Sequence, residues 1–172
     1  LSAADNQLCN GQSTTLTASG ASNYVWSAAP GLISTSGGSA TVQPSSTTTY
    51  TVTGTSPAGC PAVETITITV DPLPIVTPAD VYEICTGECV NIAVDVASGL
   101  PPYIAYSWLP ALTLDDPSSI SPEACPPTTQ NYTATVTDSN GCSGSGTVSV
   151  VVNPLPIVNA GGDIIVCDQP VD

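Results

Sequence analysis

Seven cysteines, at positions 9, 60, 85, 89, 125, 142 and 167, are the residues of this 172-residue chain best suited to covalent chemistry. Cysteine sulfurs either ligate a soft metal as thiolates or pair as disulfides. A thiolate site usually draws on Cys-x-x-Cys spacing or on histidine, and the sequence has neither. Abundant Thr, Ser, Pro and Gly around the sulfurs suit an oxidising, extracellular setting in which cysteines pair. Carboxylates are the second candidates. Asp115 and Asp116 stand side by side before Pro117, and adjacent carboxylates with loop carbonyls suit a hard cation such as Ca2+. An ordinary solvated turn is the competing reading. Asp138-Ser139-Asn140-Gly141 shares residues with a calcium loop but lacks the rest of the twelve-residue pattern, so it reads as a hairpin turn. Paired carboxylates can also hydrolyse glycosides. No concave site can be argued for here, so no catalytic residue is assigned and no enzyme activity is expected. No cofactor is expected beyond Ca2+ at Asp115 and Asp116.

Composition removes further classes of function. There are 14 acidic residues and no Lys, Arg or His, giving a net charge of −14. Nothing neutralises phosphates, which argues against nucleic acid, and an anionic membrane surface would repel the chain. Without His there is no imidazole base, and without Lys no Schiff base. No apolar run approaches the roughly 18 residues of a membrane helix, so no insertion is expected. The acidity itself reads as solubility and repulsion between neighbouring molecules.

The elements that must position these groups recur. Pro72-Leu73-Pro74-Ile75-Val76 returns as Pro154-Leu155-Pro156-Ile157-Val158, an offset of 82, and Cys85 returns at the same offset as Cys167. Trp26 and Trp108, Tyr50 and Tyr132, and Cys60 and Cys142 keep that offset, whereas Cys9 and Cys85 are 76 apart. The second copy therefore holds six extra residues, placed in the turn-rich stretch Ser98-Gly99-Leu100-Pro101-Pro102. A fixed long period means tandem copies of one folding unit: residues 1–71, residues 72–153, and residues 154–172 as a linker with the first strand of a further unit. The first unit lacks a Pro-Leu-Pro lead-in and opens at Leu1, so an excerpt or a processed N-terminus is expected.

The repeat suggests a pairing of the sulfurs. Cys9 and Cys60 are the cysteines of unit one, and their equivalents are Cys85 and Cys142, so Cys9–Cys60 and Cys85–Cys142 are the expected bridges. Cys89 and Cys125, private to unit two, are left to each other. Cys167 then awaits a partner in a following unit. A Cys9–Cys60 bridge would contribute roughly 4 kcal/mol by restricting the unfolded chain.

Strand signals dominate. Thr65-Ile66-Thr67-Ile68-Thr69-Val70 and its counterpart Thr147-Val148-Ser149-Val150-Val151-Val152 carry period-two patterning, as do the segments around Tyr50 and Tyr132. Gly- and Pro-containing turns punctuate them. About seven short strands per unit predict an all-β fold of antiparallel two-sheet sandwiches joined end to end. Trp26 and Trp108 are expected in the two cores. Tyr50 and Tyr132, at the start of the penultimate strand, fit a tyrosine-corner role. Asp71-Pro72-Leu73-Pro74 and Asn153-Pro154-Leu155-Pro156, with two fixed φ angles each, should make extended, semi-rigid joints. The apolar stretch Ile164-Ile165-Val166 before Cys167 is a strand without its domain. It must pair with continuing chain or with a neighbouring copy.

The combination Cys-x-Gly, Tyr-x-Trp, Thr-x-x-Tyr-Thr-x-Thr, Gly-Cys and Pro-Leu-Pro resembles the Ig-like, PKD-like tandem repeats of giant secreted bacterial surface proteins, including gliding adhesins and cell-surface filaments. The resemblance covers essentially the whole chain. It implies a non-enzymatic structural rod or adhesive stalk on the cell surface, whose partners are adjacent repeats, copies of itself, or a glycan or other surface ligand. A glycan- or calcium-binding adhesion module and a spacer of a secreted hydrolase are the alternatives. The Cys89/Cys125 pair and the absence of basic residues depart from the family pattern, and the expected bridges differ from the B-to-F disulfide of antibody domains.

Overall fold

A computed structural model describes residues 1–158 and residue 161. Every regular element among them is a strand. In the first half these are β1 (Ser2–Ala3), β2 (Gln7–Cys9), β3 (Thr14–Thr17), β4 (Asn23–Trp26), β5 (Leu32–Ser36), β6 (Ser39–Val42), β7 (Thr48–Thr55) and β8 (Pro61–Asp71). The second half holds β9 (Ile75–Pro78), β10 (Tyr82–Cys85), β11 (Val90–Asn91), β12 (Val94–Ala97), β13 (Tyr103–Leu109), β14 (Glu123–Ala124), β15 (Gln130–Asp138) and β16 (Ser143–Asn153).

The first half forms two four-stranded sheets, ordered β1-β3-β6-β5 and β2-β8-β7-β4. The second builds the matching sheet β10-β16-β15-β13, and its opposite face is split into the pairs β12-β9 and β11-β14. Pairing is antiparallel except that β2 runs parallel to β8 and β10 parallel to β16. The antiparallel sandwich expectation holds, with these two parallel edge pairings added to it. Each unit closes its sheet by laying its opening strand beside its last one.

Period-two patterning explains the cores. On β15, Tyr132, Ala134, Val136 and Asp138 point inward while the intervening threonines face out; on β16, Val148 and Val150 do the same. One core gathers Leu8, Leu16, Ala40, Val42, Tyr50 and Ile68. The other gathers Trp108, Tyr132, Ile92, Ile84 and Val76 among others. Both tyrosines are buried. The Tyr50 hydroxyl donates to the Pro30 carbonyl (2.7 Å), and that of Tyr132 shares a proton with Thr113 Oγ1 (2.6 Å). The tyrosine-corner expectation thus needs correcting: these hydroxyls reach the loop after the tryptophan strand, about twenty residues upstream, rather than a few. Tyr132→Phe should cost about 1 kcal/mol in denaturant unfolding through the lost hydrogen bond, without changing the fold. The two tryptophans differ. Trp108 is fully buried and donates to the Ser119 carbonyl, whereas Trp26 is half-buried at the margin of its core and donates to Gly37.

Candidate functional site: the junction between the halves

Strand geometry decides the sulfur pairing. Cys9, at the end of β2, lies opposite Asp71 at the far end of β8, while Cys60 immediately precedes the start of β8 at Pro61. An eleven-residue strand separates them, a span of roughly 33 Å at about 3.3 Å per residue. A disulfide needs Cα atoms about 4.4–6.8 Å apart, so Cys9–Cys60 cannot form. The same holds for Cys85, opposite Asn153, and Cys142, just before β16. The structure instead joins Cys9 to Cys142, 133 residues apart in sequence, with Cα atoms 5.5 Å apart. Cys60 and Cys85 are exposed thiols. The bridges expected within each unit are therefore replaced by one between units, because the two cysteines of a unit lie at its opposite poles.

Cys89 pairs with Cys125. Val90 of β11 faces Ala124 of β14, which puts the two cysteines just outside that two-residue pairing. In unit one the corresponding strands β3 and β6 pair over four residues. Ser13 and Gln43 occupy the cysteine positions, and Gln43 Nε2 donates to the Gly11 carbonyl (2.6 Å).

Around the Cys9–Cys142 bridge the joint is built from polar and close-packed contacts. Asp71, at the end of β8, is buried, and its Oδ2 accepts from Gln7 Nε2 (2.7 Å) and from Asn140 Nδ2 of the second half (3.0 Å). The proline linker is covered on one side, with Pro72, Leu73 and Ile75 left exposed. Pro74 and Val76 are buried, and a Cβ at Gly144 or Gly146 would collide with their carbonyl groups. Glycine is needed at both positions because the linker backbone lies directly on β16.

Asp138 locks the second half's side of the joint. It is sealed from solvent, with Oδ1 accepting from Asn140 N–H and Cys142 N–H (both 3.0 Å) and Oδ2 from Leu100 N–H (3.0 Å). Burial pushes its pKa up, but the three backbone donors prevail and hold the carboxyl below its usual range. One side chain thereby shapes the Cys142 hairpin and anchors the Ser98–Pro102 insertion, whose Gly99 packs beside Pro74. Sequence reasoning read Asp138 only as part of a turn. Its period-two position at the inward end of β15 was the available signal.

Asp115 and Asp116 serve their own loop. Asp115 Oδ1 accepts from Asp116 N–H and Glu123 N–H (both 2.7 Å), and Asp116 Oδ1 accepts from Ser118 Oγ (2.6 Å) and N–H (2.9 Å). The Ser118 hydroxyl and amide hold Asp116 below the ordinary carboxylate range. Cys89, Cys125 and Glu123 also cluster, but both sulfurs are spent in the disulfide and offer no thiolate. Ile164, Ile165, Val166 and Cys167 lie outside the described residues.

No protein-family model matches the chain, and no curated protein does. Among solved structures, the chain is similar to the insect immune protein hemolin, at 17% identity and a TM-score of 0.42, over 88% of this chain and 45% of that one. The Ig1+Ig2 pair of DIP-gamma matches at 13% identity and a TM-score of 0.41, over 86% and 93% of the two chains. The tandem Ig repeats of Dlar match at 11% and 0.38, over 88% and 94%. The chain thus spans under half of the hemolin chain. At these levels the likeness carries no argument about function, and the all-β architecture rests on the strands described above.

Proposed function

We propose that this chain is a non-enzymatic rod segment of an extracellular bacterial filament or adhesin stalk, built from Ig-like units at residues 1–71 and 72–153, with residues 154–172 opening a further one. The supporting observation is the double connection between the halves. The chain crosses once through a Pro-Leu-Pro linker whose Pro74 is buried, and the Cys9–Cys142 bridge makes a second crossing. A single peptide crossing is a hinge; a second covalent crossing removes most of its freedom. That economy suits load-bearing, and the disulfides suit an oxidising exterior. The resemblance to repeats of secreted bacterial surface proteins supplies the setting.

Small-angle X-ray scattering of the monomer, oxidised and then reduced, tests this reading. The oxidised chain should fit one extended conformer, and reduction should broaden the distribution of maximum dimension. An oxidised chain as broadly distributed as the reduced one would sink the rod.

A further inference from the structure

The sequence holds two Asn-Gly pairs, Asn10-Gly11 and Asn140-Gly141, and both flank the Cys9–Cys142 bridge. Their repeat equivalents, beside the free thiols of Cys85 and Cys60, are Thr86-Gly87 and Ala58-Gly59. Asparagine thus precedes glycine only at the two turns that meet. Both turns converge on Asp71: Asn10 N–H donates to its carbonyl (2.9 Å), and Asn140 Nδ2 donates to its Oδ2 (3.0 Å). Asn-Gly is the pairing most prone to lose its side-chain amide, because glycine, lacking Cβ, leaves the following backbone nitrogen unobstructed. Both asparagines are exposed, and a Cβ at Gly11 or Gly141 would meet nothing within 4 Å, so solvent reaches both nitrogens.

The turns differ in which amide closes them. Gln12 N–H donates to the Cys9 carbonyl (3.0 Å), which leaves Gly11 inside the turn. Among the described residues, neither Gly11 N–H nor the Asn10 side chain has a hydrogen-bond partner. At the other turn Gly141 N–H is itself the closing donor, to the Asp138 carbonyl (3.0 Å). Asn140 is held at both ends, its N–H on Asp138 Oδ1 and its Nδ2 on Asp71 Oδ2 (both 3.0 Å). Ring closure at Asn140 therefore requires breaking the Gly141 bond and swinging the amide away from Asp71. Its rate is scaled down to the fraction of molecules in which this corner is open. No such opening has to precede reaction at Asn10.

We propose that these turns are spontaneous deamidation sites of unequal rate: Asn10 converts in the closed joint, whereas Asn140 converts only when the joint opens, and then keeps it open. The chemistry depends on the junction alone, not on the rod reading. In each turn the glycine nitrogen gives up its proton and attacks the asparagine Cγ. A C–N bond forms, the Cγ–Nδ2 bond breaks, and the amide leaves as ammonia, carrying that proton. Water then opens the succinimide at either carbonyl, its hydroxyl going to carbon and its proton to nitrogen, which gives aspartate or isoaspartate. At position 140 either product replaces a donor by a carboxylate facing buried Asp71, and two like charges so close disfavour the contact. Isoaspartate also adds a methylene to the backbone between the Asn140 and Cys142 N–H groups that share Asp138 Oδ1. The Asn10 side chain makes no contact that a charge would break, so aspartate there leaves the joint closed.

The test uses the full chain, oxidised, incubated in mildly alkaline buffer and sampled over time. After reduction, a Glu-specific protease releases Asn10 and Asn140 in separate peptides, since Glu64, Glu83, Glu88 and Glu123 lie between them. Tandem mass spectrometry with electron-transfer fragmentation localises the conversion and distinguishes isoaspartate. Asn10 should convert at least roughly tenfold faster than Asn140, the ratio that about 1.4 kcal/mol of closure confers. In denaturant, with the bridges reduced, the two rates should converge, because the protection is structural. A folded chain that converts both at one rate, or a difference that survives unfolding, overturns the proposal. The effect on the joint is read from the rate at which a dithiol reduces Cys9–Cys142. Asn140→Asp should quicken reduction by a similar factor and Asn10→Asp should not. Adding Asp71→Asn to Asn140→Asp should restore the slow rate by exchanging amide and carboxylate. Reduction unaltered by Asn140→Asp, equally quickened by Asn10→Asp, or not restored in the double variant also overturns the proposal.

Discussion

In a Cys60→Ser, Cys85→Ser background, replacing Cys142 by Ser should lower the combined unfolding free energy of the two halves by about 5 kcal/mol. The bond spans 133 residues, and the chain-entropy relation assigns a closed loop of that length about this amount. The full effect is felt only when both halves unfold, because a folded half already restrains most of the loop. Guanidinium unfolding should therefore change character as well as midpoint. With the bridge intact the halves lose structure over a shared range; without it they should separate into two transitions. A loss below about 1 kcal/mol would show that the unfolded chain is not restrained by this bond. Cys9→Ser should reproduce the result, whereas opening Cys89–Cys125, with a separation of only 36 residues, should affect the second half alone.

Asp138→Ala should cost about 2–3 kcal/mol, confined to the second half. It strands the N–H groups of Leu100, Asn140 and Cys142, and a buried donor without an acceptor costs about 1–3 kcal/mol. Three are lost together, but Leu100 and Asn140 are themselves exposed residues, so water can reach their N–H groups and recover part of the loss. Hydrogen exchange at Leu100 N–H should quicken as the insertion comes free. A pH dependence follows with a definite sign. The folded carboxyl lies below its unfolded value of about 3.9. Its contribution is thus complete above that value and is lost as pH falls through the lower folded one. Acid titration of unfolding free energy should fall below about pH 4 for the native chain and less steeply for Asp138→Asn. An acid limb unchanged by Asp138→Asn would remove Asp138 from the joint's electrostatics.

The repeat, the strand alternation and the absence of basic residues are one-dimensional properties, and they were legible without coordinates. Thr65–Val70 and Thr147–Val152 announce half-buried strands because side chains alternate faces with period two, whatever they later pack against. The Cys89–Cys125 pair could be reached by elimination, since neither has an equivalent in unit one. Elimination misled for the rest. It assumed that cysteines of one unit lie near each other, whereas Cys9 and Cys60 mark opposite ends of β8 and can meet only the poles of other units. That follows from the parallel pairing of β2 with β8, a long-range contact that no local pattern encodes.

The junction shows the same division. Two prolines in Asp71–Pro74 specify a stiff crossing from their fixed φ angles alone, so an extended joint was determined by residue type. Which residues stand over that joint was decided only in three dimensions. Gly144, Gly146, Asn140 and Asp138 lie some seventy residues beyond it and reach it because the β15–β16 hairpin folds back to the pole where unit one ends. Local preferences act over a few residues, but the position of a pole depends on the lengths and directions of all the strands before it.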